Sequence, residues 1–198
     1  MKKILFSLIF ASVSLVQAQT TPSANINLAK AVELGCHRIE RLVTLKKIDE
    51  SFLRNIGTMS ATAMTAAQPT DPSFKVVASQ YPGSDGSSAQ LEMLMDSQGK
   101  TLSFNVIAGS AAANPPVWPD KDSVTLVENS LHYVLDGWQG VDPNVEPFYT
   151  GLKSLRISQV KDSSGQSLSK TEFLSNTVGT TLSVYLKMDG TLSSTEIK

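Results

Sequence analysis

Apolar and polar residues alternate along two stretches of the chain, and both stretches predict β-hairpins. In residues 88–106, every second residue is apolar on each side of a turn at Asp96–Gly99. In residues 181–197, the same alternation surrounds Asp189-Gly190, a dipeptide that favours tight hairpin turns. Because alternate side chains of a strand point to opposite faces, each hairpin should have one apolar and one mostly polar face. The positions that we expect to be buried are Met93, Phe104, Val184 and Leu186, whereas Glu92 and Lys187 should remain exposed.

A helical period comes before each hairpin. Apolar residues recur at spacings of three and four from Ile26 to Lys46, and again from Ser123 to Leu135. Asp49 is a suitable N-cap and predicts a short second helix at Glu50–Asn55. Residues 163–176 are polar and predict a loop with one short strand. The strands predicted outside the hairpins are Thr58–Ala66, Ser73–Gln80 and Leu152–Lys161.

The two halves of the chain resemble each other at an offset of about 95 residues. Val32–Ile39 matches Val127–Val134, and Thr101–Ser103 matches Thr191–Ser193 in the hairpins. We therefore predict an α+β fold in which a unit is duplicated, each copy being a helix plus a short helix packed on an antiparallel sheet of about four strands. The alternative is chance similarity between two amphipathic segments.

The predicted domain organisation follows from this repeat. A segment at 111–122 contains three prolines and separates the halves as a stiff linker. The predicted parts are a signal peptide at 1–18, a flexible N-terminus at 19–25, a first α+β repeat at 26–110, the Pro-rich linker at 111–122 and a second α+β repeat at 123–198.

The N-terminus has the pattern of a secretory signal peptide. Lys2-Lys3 precedes an apolar run from Ile4 to Val16, and small residues before Gln19 predict cleavage after Ala18. The run is too short for a stable membrane anchor. We therefore expect a periplasmic or secreted protein.

Composition narrows the class of partner. The 198 residues carry a net charge of −1, without the basic surface that nucleic-acid binding requires. Cys36 is the only cysteine, so the chain forms no internal disulfide, which suits a periplasm better than the extracellular medium.

The segment Leu94–Leu102 resembles the strand–turn–strand of PepSY-type domains, secreted bacterial modules in which a helix packs on an antiparallel sheet. It departs from their pattern, because their Asp-to-Gly turn is one residue longer and carries a Thr before the Gly. The tandem order of helices and strands is also similar to that of the β-lactamase inhibitory protein family, without that family's cysteines. The resemblances imply periplasmic regulation, protease inhibition or enzyme inhibition, and they supply no catalytic residue.

The two histidines of the chain occupy equivalent positions in the repeat. Glu33 precedes His37 by four residues, and Glu128 precedes His132 by the same spacing, which places each pair on one helix face. Two such pairs could supply four metal ligands. Because the histidines lie away from the apolar stripe, however, we expect each pair in water on its own helix. We predict no catalytic residue, cofactor or metal ligand.

These observations favour a non-enzymatic binding module that recognises a protein partner through the polar face of its sheet. A face with few charges costs little free energy to desolvate. One alternative is a carrier of a small apolar ligand between helix and sheet, suggested by Met59, Met93 and Met95 beside small alanines; another is a hydrolase that uses His37 or His132. The predicted partner-binding surface is Thr58, Ser60, Thr62, Lys75, Ser79, Tyr81, Gln90, Glu92, Ser103 and Asn105.

Overall fold

A computed structural model describes residues 26–68, 70–138 and 143–198. The predicted signal peptide at 1–18 and the predicted flexible segment at 19–25 lie outside the described residues, so the cleavage site and the compartment stay predictions. In the part of the chain that is described, no helix is long and apolar enough to cross a membrane.

Within the described residues, four helices and eight strands follow one another in the order helix, helix, four strands, twice over. The helices are α1 (Leu28–Thr44), α2 (Ser51–Arg54), α3 (Ser123–Trp138) and α4 (Glu146–Thr150). The strands are β1 (Ile56–Ala63), β2 (Phe74–Gln80), β3 (Gln90–Met95), β4 (Thr101–Ile107), β5 (Leu152–Lys161), β6 (Ser167–Ser175), β7 (Thr181–Lys187) and β8 (Leu192–Ile197).

All eight strands form one antiparallel sheet, in the spatial order β4-β3-β2-β1-β5-β6-β7-β8. The predicted fold class, a duplicated unit of a helix plus a short helix packed on an antiparallel sheet of about four strands, is therefore wrong. The two sets of strands join because β1 pairs with β5, with Thr58 opposite Arg156 and Met59 opposite Leu155. Two separate sheets would each leave a further row of edge N–H and C=O groups without partners, and the junction removes that liability.

The helices pack on one face of this sheet, and buried side chains from both halves form a single core. Asn27 caps α1 by accepting the Lys30 backbone N–H at 2.8 Å. Gly35 lets α1 approach the sheet closely, because a Cβ at this position would lie 3.0 Å from Val76 Cγ1 and 3.3 Å from Met93 Cε. Ser123 connects the halves: its hydroxyl donates to Leu53 O and accepts from Ile56 N.

Two elements differ from the sequence predictions. Strand β6, of nine residues, occupies most of the segment predicted as a loop with one short strand, and its polar Ser169 and Thr171 are buried in the core. Thr171 Oγ1 accepts a hydrogen bond from Ser130 Oγ of α3 at 2.9 Å, whereas Ser169 Oγ is buried without a partner among the described residues. Helix α4 is the short helix expected in the second copy, to which sequence analysis assigned no residues; its Phe148 is buried, while Pro147 suits the first turn of a helix.

Strand register on the core face is confirmed for Met93, Val184 and Leu186, which are all buried. Phe104 was predicted to be buried, and that prediction is wrong: the residue is 38% exposed. It lies directly opposite Met93 and shares its face, but β4 is the outermost strand of the sheet. Helix α1 lies over β1 and β2, so the helix layer does not enclose the edge strand.

Candidate functional site

The predicted partner-binding residues lie together on the face of the sheet opposite the helices, here called the outward face. Across β1 and β2, Thr58 faces Ser79 and Thr62 faces Lys75. The ladder continues through β3 and β4, where Glu92 faces Asn105. Each of these side chains is exposed or half-buried, whereas the residues that alternate with them on β1–β3 are mostly buried. The structure thus brings the predicted set onto one surface.

Most strand charges on the outward face neutralise one another locally. Lys75 Nζ lies 2.5 Å from Glu92 Oε1, and Lys170 Nζ lies 2.5 Å from Glu172 Oε1. Lys170 also lies over the ring of Tyr185, 5.9 Å from its centroid. These pairs leave the surface polar but with little local charge.

Arg156, which sequence analysis did not include, forms no such pair among the described residues, because Glu172, its neighbour on β6, pairs with Lys170. It lies on β5 opposite Thr58, at the seam between β1 and β5 in the middle of the eight strands. Within the described residues, no carboxylate forms an ion pair with its guanidinium. The alternation along Leu152–Lys161 could have placed Arg156 on the polar face, but its central position depends on the β1–β5 pairing.

Tyr81 supports this seam from the end of β2. A Cβ at Gly57 would lie 3.0 Å from the tyrosine ring, so the glycine makes room for the aromatic side chain. The Tyr81 hydroxyl donates to the backbone oxygen of Ile157 on β5 at 2.8 Å. Burial raises the pKa of this hydroxyl, and the nearby Arg156 charge lowers it by less. Tyr81 therefore acts here as a neutral hydrogen-bond donor that connects the two halves.

A shallow depression of about 380 Å³ opens beside Tyr81. It brings four residues of the predicted surface together with two residues that sequence analysis missed. The side chains that give it its polar character are Thr58, Ser79, Tyr81, Gln90, Arg156 and Ser158. Hydroxyl and amide groups that surround one unpaired guanidinium can bind a partner's carboxylate and neighbouring polar groups.

A second cluster lies between α1 and α3 on the other side of the sheet. His37 Nε2 of α1 lies 2.5 Å from Glu128 Oε1 of α3. His132 Nε2 lies 3.7 Å from Glu33 Oε1 and 3.6 Å from Glu128 Oε1. The expectation of two separate pairs in water, each on its own helix, is therefore wrong. The pairs cross between the helices because α1 and α3 pack side by side.

Glu33 is the most enclosed member of this cluster, with a side chain only 4% exposed. Its Oε1 accepts a hydrogen bond from Lys30 Nζ at 2.8 Å, while Oε2 is buried without a partner among the described residues. The ammonium of Lys30 offsets part of the free energy of burying this carboxylate. The contact joins two residues on the first two turns of α1.

Metal binding and nucleophilic chemistry receive no support at this cluster. Across 26–68, 70–138 and 143–198, no three His, Cys, Asp or Glu side chains are placed to hold a metal ion. Burial, and then the charges of Glu128 and Glu40, raise the pKa of the Cys36 thiol. The thiol therefore remains protonated near neutral pH and is a poor nucleophile.

A larger concavity, of about 640 Å³, lies between α2 and the segment 115–125. Its walls are mainly prolines and exposed charged residues, among them Glu50 and Arg54, which pair with each other at 2.6 Å. No group of catalytic character converges there. Its volume alone therefore does not make it a functional site.

Comparisons with other proteins assign no function to the chain, so the functional argument rests on the outward face of the sheet. No protein-family model matches the chain, and neither a curated protein nor a solved structure is significantly similar to it. The resemblances suggested by the Asp96–Gly99 turn and by the tandem order of elements stay predictions.

Proposed function

We propose that this protein is a non-enzymatic, secreted or periplasmic binding module that inhibits or regulates a protein partner. The observation that carries the proposal is the unpaired guanidinium of Arg156 at the centre of a polar sheet face. The depression beside it contains Thr58, Ser79, Tyr81 and Gln90, which the sequence had already assigned to a binding surface.

The energetics of this face suit association with a protein. Polar groups such as Thr58 and Ser60 lose little hydration free energy compared with charged groups when a partner covers them. Arginine and tyrosine are enriched among the residues that dominate interface energies, and such residues lie near the centre of an interface. Arg156 and Tyr81 occupy that position at the β1–β5 seam.

The chemistry of the depression indicates which partner groups fit. An Asp or Glu side chain of the partner would form a charge-assisted hydrogen bond with Arg156. The hydroxyls of Thr58 and Ser79 and the amide of Gln90 would satisfy polar groups on either side. We therefore expect the partner to contribute an acidic residue within a segment that can lie flat on the sheet.

The alternative of an apolar-ligand carrier is less well supported. Met59, Met93 and Met95 are buried, and the space between α1 and the sheet is filled where Gly35 contacts Met93 and Met59. Of the small alanines that suggested such a space, Ala61 and Ala78 are buried, whereas Ala63 is exposed.

The hydrolase hypothesis is also not supported by the positions of the candidate catalytic side chains. Ser167 and Lys170, which form a Ser-x-x-Lys pattern, lie on strand β6, and Lys170 forms an ion pair with Glu172. A serine nucleophile would need a free base within hydrogen-bond reach, and this lysine is engaged by the carboxylate. The contact of His37 with Glu128 lies between the two helices, on the other side of the sheet from the depression beside Tyr81.

The test is affinity capture from the secreted and periplasmic fractions of the source cells, followed by purification of the captured protein and measurement of its dissociation constant. Arg156→Glu should weaken binding at least about tenfold, since it places a carboxylate against the partner's acidic group. Thr58→Glu, directly opposite Arg156, should act in the same direction, because its carboxylate would pair with Arg156 and repel the partner's acidic group.

The matched control is Arg41→Glu, which makes the same charge change at an exposed position of α1 on the other side of the sheet. This variant should bind like the unmodified protein. If Arg156→Glu and Thr58→Glu both retained full affinity while folding normally, the outward face would not be the binding site. Loss of binding in all three variants would point to nonspecific charge attraction and would also contradict the proposal.

A further inference from the structure

The edge strand β4 has an apolar face that the helix layer leaves open. Leu102, Phe104 and Val106 share the helix side of this strand and are 42%, 38% and 43% exposed. They continue the apolar rows of β3, where Met93 is fully buried directly opposite Phe104. As the terminal strand of the sheet, β4 also presents a free row of backbone N–H and C=O groups.

The opposite edge of the sheet is built differently. Strand β8 carries Glu196, which pairs with Lys198 at 3.0 Å, and its helix side presents Thr195 at the position opposite Val184. Charged and polar residues on an edge strand disfavour pairing with another strand. Strand β4, Thr101–Ile107, contains no charged residue and no proline. Strand β8 therefore has a charged residue that disfavours pairing with another strand, and β4 has none.

We propose that β4 pairs with β4 of a second copy of this chain, joining two sheets edge to edge in a symmetric dimer. Phe104 is the central residue of the strand, so a fully overlapped antiparallel pair places Phe104 against its counterpart and Leu102 against Val106 of the other copy. Ser103 then faces Asn105 on the outward side. Apolar residues meet apolar residues and polar residues meet polar ones from Leu102 to Val106.

A second copy fits this edge because β4 contains no charged side chain. In the overlapped register no charged side chain of one β4 is opposite another, since the nearest charge, Lys100, faces Ala108 of the second copy. A charged partner strand would have to bury its charges against Leu102, Phe104 and Val106, at a large cost in desolvation. The twofold contact is also closed, so it yields a dimer and not a fibre.

The dimer would orient both copies in the same way. Antiparallel pairing within one sheet keeps the helices of both copies on one side. The outward faces of both copies, each with its Arg156, then lie on the other side. A partner with two binding sites, or an arrayed partner, could then engage both surfaces at once and gain avidity.

The experiment measures molar mass by light scattering during size exclusion, from low-micromolar to near-millimolar concentration. The unmodified chain should change from monomer to dimer over this range. Phe104→Lys should weaken dimerisation at least about tenfold, because two like charges would meet at the twofold axis. Thr195→Lys, at a helix-side position of the other edge strand, is the matched control and should dimerise normally.

A second measurement reports the register and does not depend on the effect of lysine. Phe104→Cys should form a disulfide between copies under mild oxidation, because directly opposed side chains have Cβ atoms about 4.5–5.5 Å apart. Cys36 is buried and should not compete, and Thr195→Cys should not cross-link. A chain that stays monomeric throughout, or a dimer lost with Thr195→Lys and kept with Phe104→Lys, would overturn the proposal.

Discussion

His37 on α1 and Glu128 on α3 hold the two long helices together, with Nε2 and Oε1 2.5 Å apart. The four residues of this cluster come from equivalent sequence positions, and each histidine reaches a glutamate of the other helix. Because of this contact, the change in unfolding free energy on substituting a histidine should depend on the glutamate of the other helix.

A double-mutant cycle should detect this contact. His37→Gln combined with Glu128→Gln should show a coupling free energy of about 0.2–1 kcal/mol in unfolding experiments, as expected for a partly exposed charged pair. The control cycle combines His37→Gln with Glu33→Gln, the pair that helical spacing alone would connect. It should show weaker coupling, and equal coupling in both cycles would contradict the crossed arrangement.

Glu40 should make stability depend on pH. Burial, and then the charges of Glu128 and Asp122, raise the pKa of its carboxyl above the ordinary value. The folded state therefore binds the proton more tightly than the unfolded state does, so the charged form of Glu40 destabilises the fold once the pH rises through the raised pKa. Glu40→Gln should raise the melting temperature at neutral pH and leave it unchanged at acidic pH, where the carboxyl is protonated in both states.

The control for this experiment is Glu50→Gln on α2, whose carboxylate pairs with Arg54 at 2.6 Å. Removal of that pair should lower the melting temperature slightly at neutral pH. Stabilisation by Glu40→Gln that was equal at both pH values would show that the charge is not the cause.

Gly99 should tolerate alanine less well than Gly165 does. Both occupy the left-handed region, with φ of 81° and 84°, in turns with the same hydrogen-bond pattern to Asp96 and Asp162. An alanine in that region costs about 1–2 kcal/mol. At Gly99 its Cβ would also lie 2.2 Å from Leu34 Cδ1, whereas nothing lies within 4 Å at Gly165.

Chemical denaturation of Gly99→Ala and Gly165→Ala should therefore show an additional loss of about 1–3 kcal/mol at Gly99. Similar losses in the two variants would mean that the turn between β3 and β4 does not pack on α1 as described.

Phe104 and Met93 should differ sharply in their contribution to stability, although they are opposite each other in the ladder. Met93→Ala removes a fully buried side chain and should cost about 2–5 kcal/mol. Phe104→Ala should cost about 1 kcal/mol, because its ring is partly in water already. Urea unfolding at low protein concentration, where the monomer predominates, is the measurement. A loss at Phe104 as large as that at Met93 would show that the edge strand is covered.

Local pattern was sufficient for much of the secondary structure. The alternation of apolar and polar residues identified both hairpins, and the helical period identified α1 and α3, because these patterns reflect the geometry of the pleat and of the helical turn. It failed for β6, where buried Ser169 and Thr171 are paired or enclosed by neighbours that lie far away in sequence. The same pattern placed Thr58, Ser79 and Gln90 on one polar face.

Only the tertiary structure decided which of these elements meet. Pairing of β1 with β5 merged the strands into one sheet and moved Arg156 to its centre; packing of α1 against α3 crossed the Glu–His pairs; the outermost position of β4 exposed Phe104. Periodicity states which side of a strand or helix is apolar, and it does so through neighbours a few residues apart. Whether that side is covered, and by what, depends on contacts between residues far apart in the chain, which the folded structure alone determines.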